Sequence, residues 1–389
     1  MLLNVDDYRR AARRRLPRSV YDVMAGGAGD EVTLHENEQA FRRITLRPRP
    51  LADVAIRDLG TTVLGRRISM PLLLGPAGYA RMAHREAELA VARAAARAGT
   101  VYGVSTITSF PLEDIAAAST GPKWFQLYPP ADRDACAALV RRADAAGYAA
   151  LCVTIDGALA GLRERDQRNR LGIPFRITPR RVLESATHPR WTASFVRGGA
   201  GRGEQGFGAV ASRPRSMRDA GAAIAATARA ITPGEIRFIR EIWTGPLVVK
   251  GVQREDEADL LCQLGIDGVV VSNHGGRQLD TVAATIDILP AVAEAIAGRA
   301  EVFVDGGIRR GTDVVKALAL GARAVLVGRP YLYGLTVHGE SGVTQVLEIF
   351  RHEIDQTMAL LGCPDVASIG RDCAGPVRSP TAPSRSWRS

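Results

Sequence analysis

Eight short apolar runs, each followed by a helix-like stretch, constrain this chain more than any other feature. The runs are Pro71–Pro76, Thr100–Ser105, Lys123–Tyr128, Ala149–Asp156, Pro246–Gly251, Asp267–Asn273, Glu301–Gly306 and Ala322–Gly328. Alanine-rich amphipathic stretches such as Glu86–Ala98, Asp132–Ala146 and Thr312–Leu320 lie between them. Strands covered on both faces show continuous Val/Ile/Leu runs of this kind, where half-solvated strands alternate. Eight such units in series predict an α/β fold, a (β/α)8 TIM barrel spanning 71–362.

One spacing breaks the repeat, from Asp156 to Pro246. Within it, Gly172–Ala230 carries ten arginines against three acids. A loop that long is usually functional, so the stretch 165–232 is expected to form a lid-like insertion after the fourth barrel strand, with a short helix at Arg190–Arg197. Residues 1–70 are expected to supply an N-terminal helical cap and a barrel plug. The Pro/Ser/Arg-rich tail 374–389 reads as disordered.

Composition removes several classes of function. The chain is 46% hydrophobic and 24% charged, which suits a large buried core. It has no apolar run of membrane-spanning length, and its first residues turn polar at once, so neither a span nor a secretory signal is expected. Five cysteines without CxxC spacing fit a reducing, cytoplasmic setting and no metal site. The net charge of +10 comes almost wholly from arginine, since Lys123, Lys250 and Lys316 are the only lysines. Without interleaved aromatics or a nucleic-acid motif, that excess predicts no nucleic-acid partner. A basic insertion leaves room for peripheral membrane association.

The chemistry should lie where strands end. In a barrel of this kind functional side chains project from the C-terminal rim, and the rim here reads Pro76-Ala77-Gly78, Ser105, Gln126 to Tyr128, Thr154 to Asp156, Lys250, Ser272 to His274, Asp305 to Gly307 and Gly328-Arg329. Nearly every strand delivers a hydrogen-bonding group. His274 and Arg277 flank a glycine turn after the sixth strand. After the last two strands, Gly306-Gly307, Arg309 and Gly328-Arg329 combine free backbone N–H groups with guanidinium forks, the donors a phosphate dianion needs. Fingerprints of a Rossmann site, a P-loop or a zinc protease are missing.

With these motifs in view (SNHGGRQLD at 272–280, DGGIRRGTD at 305–313 and LVGRP at 326–330), the chain resembles the FMN-dependent 2-hydroxy-acid oxidases and dehydrogenases from about Val5 to Cys363. That group includes glycolate oxidase, lactate oxidase and mandelate dehydrogenase, and there is some likeness to the mycofactocin-pathway flavoproteins. The resemblance implies FMN as cofactor, a small 2-hydroxy acid as substrate, O2 or another electron acceptor, and a homotetramer. It makes His274 the general base, with flavin N5 as hydride acceptor, and Asp156 the carboxylate that orients the histidine ring. Arg277 and Arg163 become the substrate carboxylate's cations, with Arg277 favoured for a bidentate grip, and Tyr128 the phenol on the substrate oxygen. Lys250 would stand beside the flavin pyrimidine edge. Ala77, Ser105, Gln126, Thr154 and Ser272 would contact the ring, Asp305 the ribityl chain, and Gly307, Arg309, Gly328 and Arg329 the phosphate. Whether the base takes its proton from oxygen or from carbon stays open.

The sequence departs from the family pattern in the pocket. A tyrosine that usually closes the VYDY segment is Val23 here, and the aromatic that often follows strand two is Ile107. Loss of a carboxylate hydrogen bond and gain of apolar wall predict a substrate larger than glycolate. The alternative is a tailoring oxidase of a natural-product or peptide-derived small molecule.

Overall fold

The computed structural model describes residues 1–169, 179–198 and 229–375. A hairpin of β1 (Thr61–Val63) and β2 (Arg66–Ile68) precedes eight parallel strands: β3 (Leu72–Leu74), β4 (Tyr102–Ser105), β5 (Lys123–Leu127), β6 (Ala150–Thr154), β7 (Leu247–Val252), β8 (Gly268–Val271), β9 (Glu301–Asp305) and β10 (Ala324–Val327). These eight close into a barrel when β10 pairs with β3.

Strand periodicity sorts the apolar runs into two layers. Leu72 and Leu74, Val269 and Val271, and Val302 and Val304 face out against the helices. Leu73, Val270 and Phe303, one residue out of step, fill the barrel's interior with Trp124, Val248 and Leu326. Trp124 meets Phe303 edge-on at 5.3 Å between ring centroids. The β1–β2 hairpin closes this interior from below, adding Val63 and Ile68 to the same cluster. Its two-residue turn needs positive φ twice, at Leu64 (45°) and Gly65 (77°). The Glu301 carboxylate accepts the Leu64 N–H at 3.0 Å and ties the plug to the foot of β9.

Three helices cover the opposite rim: α1 (Val5–Arg15), α2 (Arg18–Ala25) and α3 (Val32–Arg43). Asn4 caps α1, its side-chain oxygen accepting from Asp7 N at 2.9 Å. Backbone carbonyls at the end of α2 and the Asn37 side chain of α3 reach the turn after β8.

The insertion has the helix expected at Arg190–Arg197 and more: helices run over Glu164–Arg168, Pro179–Ala186 and Pro189–Arg197. Trp191 of the last helix is buried beside Leu16 and Val20 and donates to Met82 O at 2.8 Å, so this part docks on α1 and α2 through apolar contact. The rest of the predicted lid, 170–178 and 199–228, lies outside the described residues. The tail also starts later than 374: Ala374 pairs with Leu46, and Gly375 N–H donates to Thr45 O at 2.7 Å. These backbone bonds hold the first two residues of the predicted tail, and 376–389 lie outside the described residues.

Behind β4, Glu88 is fully buried. One carboxylate oxygen accepts the Ser109 N–H at 3.1 Å and the other has no hydrogen-bond partner. Burial pushes the Glu88 carboxyl up to about 7. A carboxyl raised in the folded state contributes fully below its unfolded value of about 4.5 and loses that contribution as pH rises through about 7. Glu88→Gln, which cannot ionise, should therefore gain on the wild type by roughly 3 kcal/mol between pH 4 and pH 8. Melting curves of both proteins across that range check this; a constant gap would refute it.

Candidate active site

The C-terminal rim carries two hydrogen-bonded runs of side chains. Ser105 Oγ donates to Gln126 Oε1 (3.1 Å), and Gln126 Nε2 donates to Thr154 Oγ1 (2.9 Å). Across the mouth, Lys250 Nζ donates to Ser272 Oγ at 2.8 Å and pairs with Asp305 at 3.1 Å. Adjacent parallel strands in register place these groups side by side, because Ser105 faces Gln126 and Thr154 faces Lys250 across the ladder.

Above them opens a cavity of about 350 Å³. Every residue expected at the site lines it except Asp156 and Ser272. Those two stand immediately behind, Asp156 against His274 and Ser272 against Lys250.

His274 is held on both ring nitrogens. Nδ1 lies 2.9 Å from Asp156 Oδ1, and Nε2 lies 3.2 Å from the Tyr128 hydroxyl. A proton on Nδ1, shared with the carboxylate, leaves the Nε2 lone pair facing the cavity. His274 sits at φ 58°, followed by Gly275 (63°) and Gly276 (71°), so the chain reverses abruptly and throws the imidazole inward. Gly276 is required there: a Cβ would come within 2.6 Å of Leu34 N. Burial works to raise the Asp156 carboxyl, but His274 and Lys250 hold it below the usual range. Burial, and then the Asp156 charge, push the Tyr128 phenol well up, so it stays a proton donor.

Lys250 sits at the floor. Burial opposes its charge, yet Asp305 and Asp156 raise its ammonium above the ordinary lysine range. The site thus holds a permanent cation at the centre of the mouth.

Buried polar atoms without partners mark where a ligand fits. Asp305 Oδ1, Asp156 Oδ2 and Arg309 Nε are such atoms. Arg309 points its other nitrogens at Glu38 (2.8 Å) and Ile308 O (2.9 Å), which leaves Nε for an anion. Gly328 starts the helix Arg329–Leu361 with no side-chain cap and with open space beside its Cα. A free helix N-terminus next to an arginine suits a phosphate. Arg329, expected at the same anion, gives three of its five N–H donors to Met24 O, Gly275 O and Gly26 O, fastening α2 to the turn after β8 and keeping one N–H on each Nη. The residues present fit a phosphate-bearing cofactor.

Gly307 has φ 81°, and a Cβ there would fall 1.8 Å from Asn37 O. Gly307→Ala should push α3 off the rim and weaken FMN binding at least tenfold, as titration of the apoprotein by flavin fluorescence would show.

At the other end, two arginines face the histidine. Arg277 Nη1 donates to Val23 O (2.9 Å) and Gly26 O (2.8 Å), so the remainder of its fork is what meets a ligand. Burial and the neighbouring Arg163 and Arg329 push Arg277 down to about 9, a strain that an incoming carboxylate would relieve. Arg163 has Asp166 at 3.7 Å. Val20, Val23, Met24, Met82 and Ile107 form the apolar wall.

Several participants had no local signature. Asn37 exchanges side-chain hydrogen bonds with Asn273 at 2.9 Å each way, and Gln278 Nε2 holds Asp156 O at 2.7 Å. Glu38, Asp166 and Tyr79 also reach the site through the fold alone.

Glycine amides and Arg309 after the last two strands, a fixed cation on the floor and a histidine opposite paired arginines are the groups that a cofactor-dependent oxidoreductase for an anionic alcohol needs. Comparison with known proteins agrees. Residues 12–376 match the family model described as FMN-dependent dehydrogenase. The (S)-mandelate dehydrogenase of Pseudomonas putida is 42% identical over 373 residues, 95% of this chain and 93% of the relative. Human 2-hydroxyacid oxidase 1 is 43% identical over 377 residues, 95% of each chain. A crystal structure of the monotopic membrane protein (S)-mandelate dehydrogenase superposes with a TM-score of 0.92 at 40% identity, covering 96% of this chain and 99% of that one. The chain belongs to the FMN-dependent dehydrogenase family, and its cofactor is FMN.

Proposed function

We propose that this enzyme oxidises a 2-hydroxy acid with a side chain larger than glycolate's to the 2-oxo acid. The carrying observation is the Tyr128–His274–Asp156 chain, which faces Arg277 and Arg163 across one cavity with an apolar wall. FMN, when bound, supplies the two-electron acceptor. Arg309, Gly307, Gly328 and Arg329 would hold its phosphate and Asp305 its ribityl chain. Ala77, Ser105, Gln126, Thr154, Ser272 and Lys250 would hold its ring.

The protein's own part is positioning and proton transfer. Arg277 and Arg163 bind the carboxylate and so fix the orientation of Cα. Tyr128 donates to the substrate oxygen. His274 Nε2 takes one proton from the substrate, and Asp156 stabilises the imidazolium. Lys250 stabilises negative charge that develops on the cofactor side.

Anaerobic spectra of the purified yellow protein, mixed with glycolate, L-lactate and each mandelate enantiomer, test the reading. Bleaching by the larger acids ahead of glycolate is expected. A flavin that bleaches only with dithionite overturns it. Admitting air after bleaching shows whether O2 or another carrier is the acceptor.

We also propose a cytoplasmic homotetramer. Free cysteines support the compartment, and family resemblance supports the assembly. Among the described residues no helix is long and apolar enough to cross a membrane. The monotopic relative keeps peripheral membrane association in view. Light scattering and vesicle flotation test these two points.

A further inference from the structure

One pocket residue has both an unusual backbone and an unused polar group. Tyr79 lines the cavity at φ 61°, in the left-handed region that bulky residues avoid. Strain of this kind persists where surrounding structure enforces it, and it clusters at ligand sites. Tyr79 stands just before the short helix Ala80–Ala83 and borders the cavity. Among the described residues its phenol has no hydrogen-bond partner and is not among the fully enclosed orphan atoms.

The surroundings say what it faces. Burial raises the Tyr79 phenol to about 12, while the charges of Arg163 and Arg277 pull it down and Asp166 acts against them. The hydroxyl therefore lies within electrostatic reach of both arginines and is a neutral donor at any working pH. A bound carboxylate has about four acceptor sites. Arg277 commits Nη1 to Val23 O and Gly26 O, and Arg163 leans on Asp166, so part of each fork is drawn away from an incoming carboxylate. Val23, on the adjoining wall, offers no donor.

We propose that Tyr79 is a substrate-binding residue, its phenol donating to the substrate carboxylate beside Arg277 and Arg163 and supplying the hydrogen bond that Val23 cannot. This rests on the 2-hydroxy-acid reading above.

Tyr79→Phe keeps the ring and removes the donor. With the FMN-loaded enzyme, the dissociation constant of phenylacetate, a carboxylate that cannot be oxidised, should rise about tenfold or more by calorimetry. KM for mandelate should rise with it, while kcat changes less. Val23→Tyr, added to Tyr79→Phe, should restore phenylacetate binding. Unchanged phenylacetate affinity in Tyr79→Phe overturns the donor role even if the wild type oxidises mandelate. A wild-type flavin that no 2-hydroxy acid bleaches overturns this proposal and the functional reading together.

Discussion

His274→Gln should slow flavin reduction by substrate by roughly three to four orders of magnitude, with FMN still bound and the fold intact. The expectation follows from how the ring is held. Asp156 accepts at Nδ1 and Tyr128 stands at Nε2, so one nitrogen is fixed and the other is presented to the cavity. Glutamine fills similar space and offers hydrogen bonds, but it cannot take up a proton near neutral pH. Stopped-flow anaerobic reduction isolates this step from reoxidation. Asp156→Asn should act through the same atom: an amide at Nδ1 gives no stable charge partner to the imidazolium, so the loss should approach that of His274→Gln without adding to it in the double variant. Full additivity would mean that the two side chains work independently, and the geometry described here would not be the working one.

The barrel was legible because its strands are buried on both faces, which writes uninterrupted apolar runs into the sequence. Rim residues were legible for a related reason, since a polar side chain that ends such a run has one place to go. Ser105, Gln126, Thr154 and Lys250 therefore stood out from local pattern alone. Asn37, Glu38, Gln278 and Tyr79 did not. They sit on α3, on the turn after β8 and after β3, and only chain closure carries them to the site. The helix Pro179–Ala186 was missed because it is only eight residues long and opens on a proline, which read as loop. Arg329 shows what motif reasoning leaves out: besides its place near the expected anion, three of its five N–H donors fasten backbone carbonyls of α2 and the turn after β8.

Lys250→Met should abolish productive turnover, and the reason can be separated from a folding defect. The ammonium lies between Ser272 and Asp305 with almost no exposure. Removing it leaves the Asp305 carboxylate buried and uncompensated, at a cost of about 3–5 kcal/mol. That loss alone could empty the flavin site. Removing both charges, as Lys250→Met with Asp305→Asn, should recover most of the lost stability, because a buried pair replaced as a pair is often nearly neutral. It should not recover the chemistry. Without a fixed cation on the floor, charge developing on the cofactor side meets only neutral dipoles, and a loss of about 10²–10³ in the reduction rate is expected. Melting temperature and single-turnover reduction, measured on the two single variants and the double, place the two effects on different axes. If the double variant regains rate as well as stability, Lys250 is a structural counter-ion for Asp305 and no more.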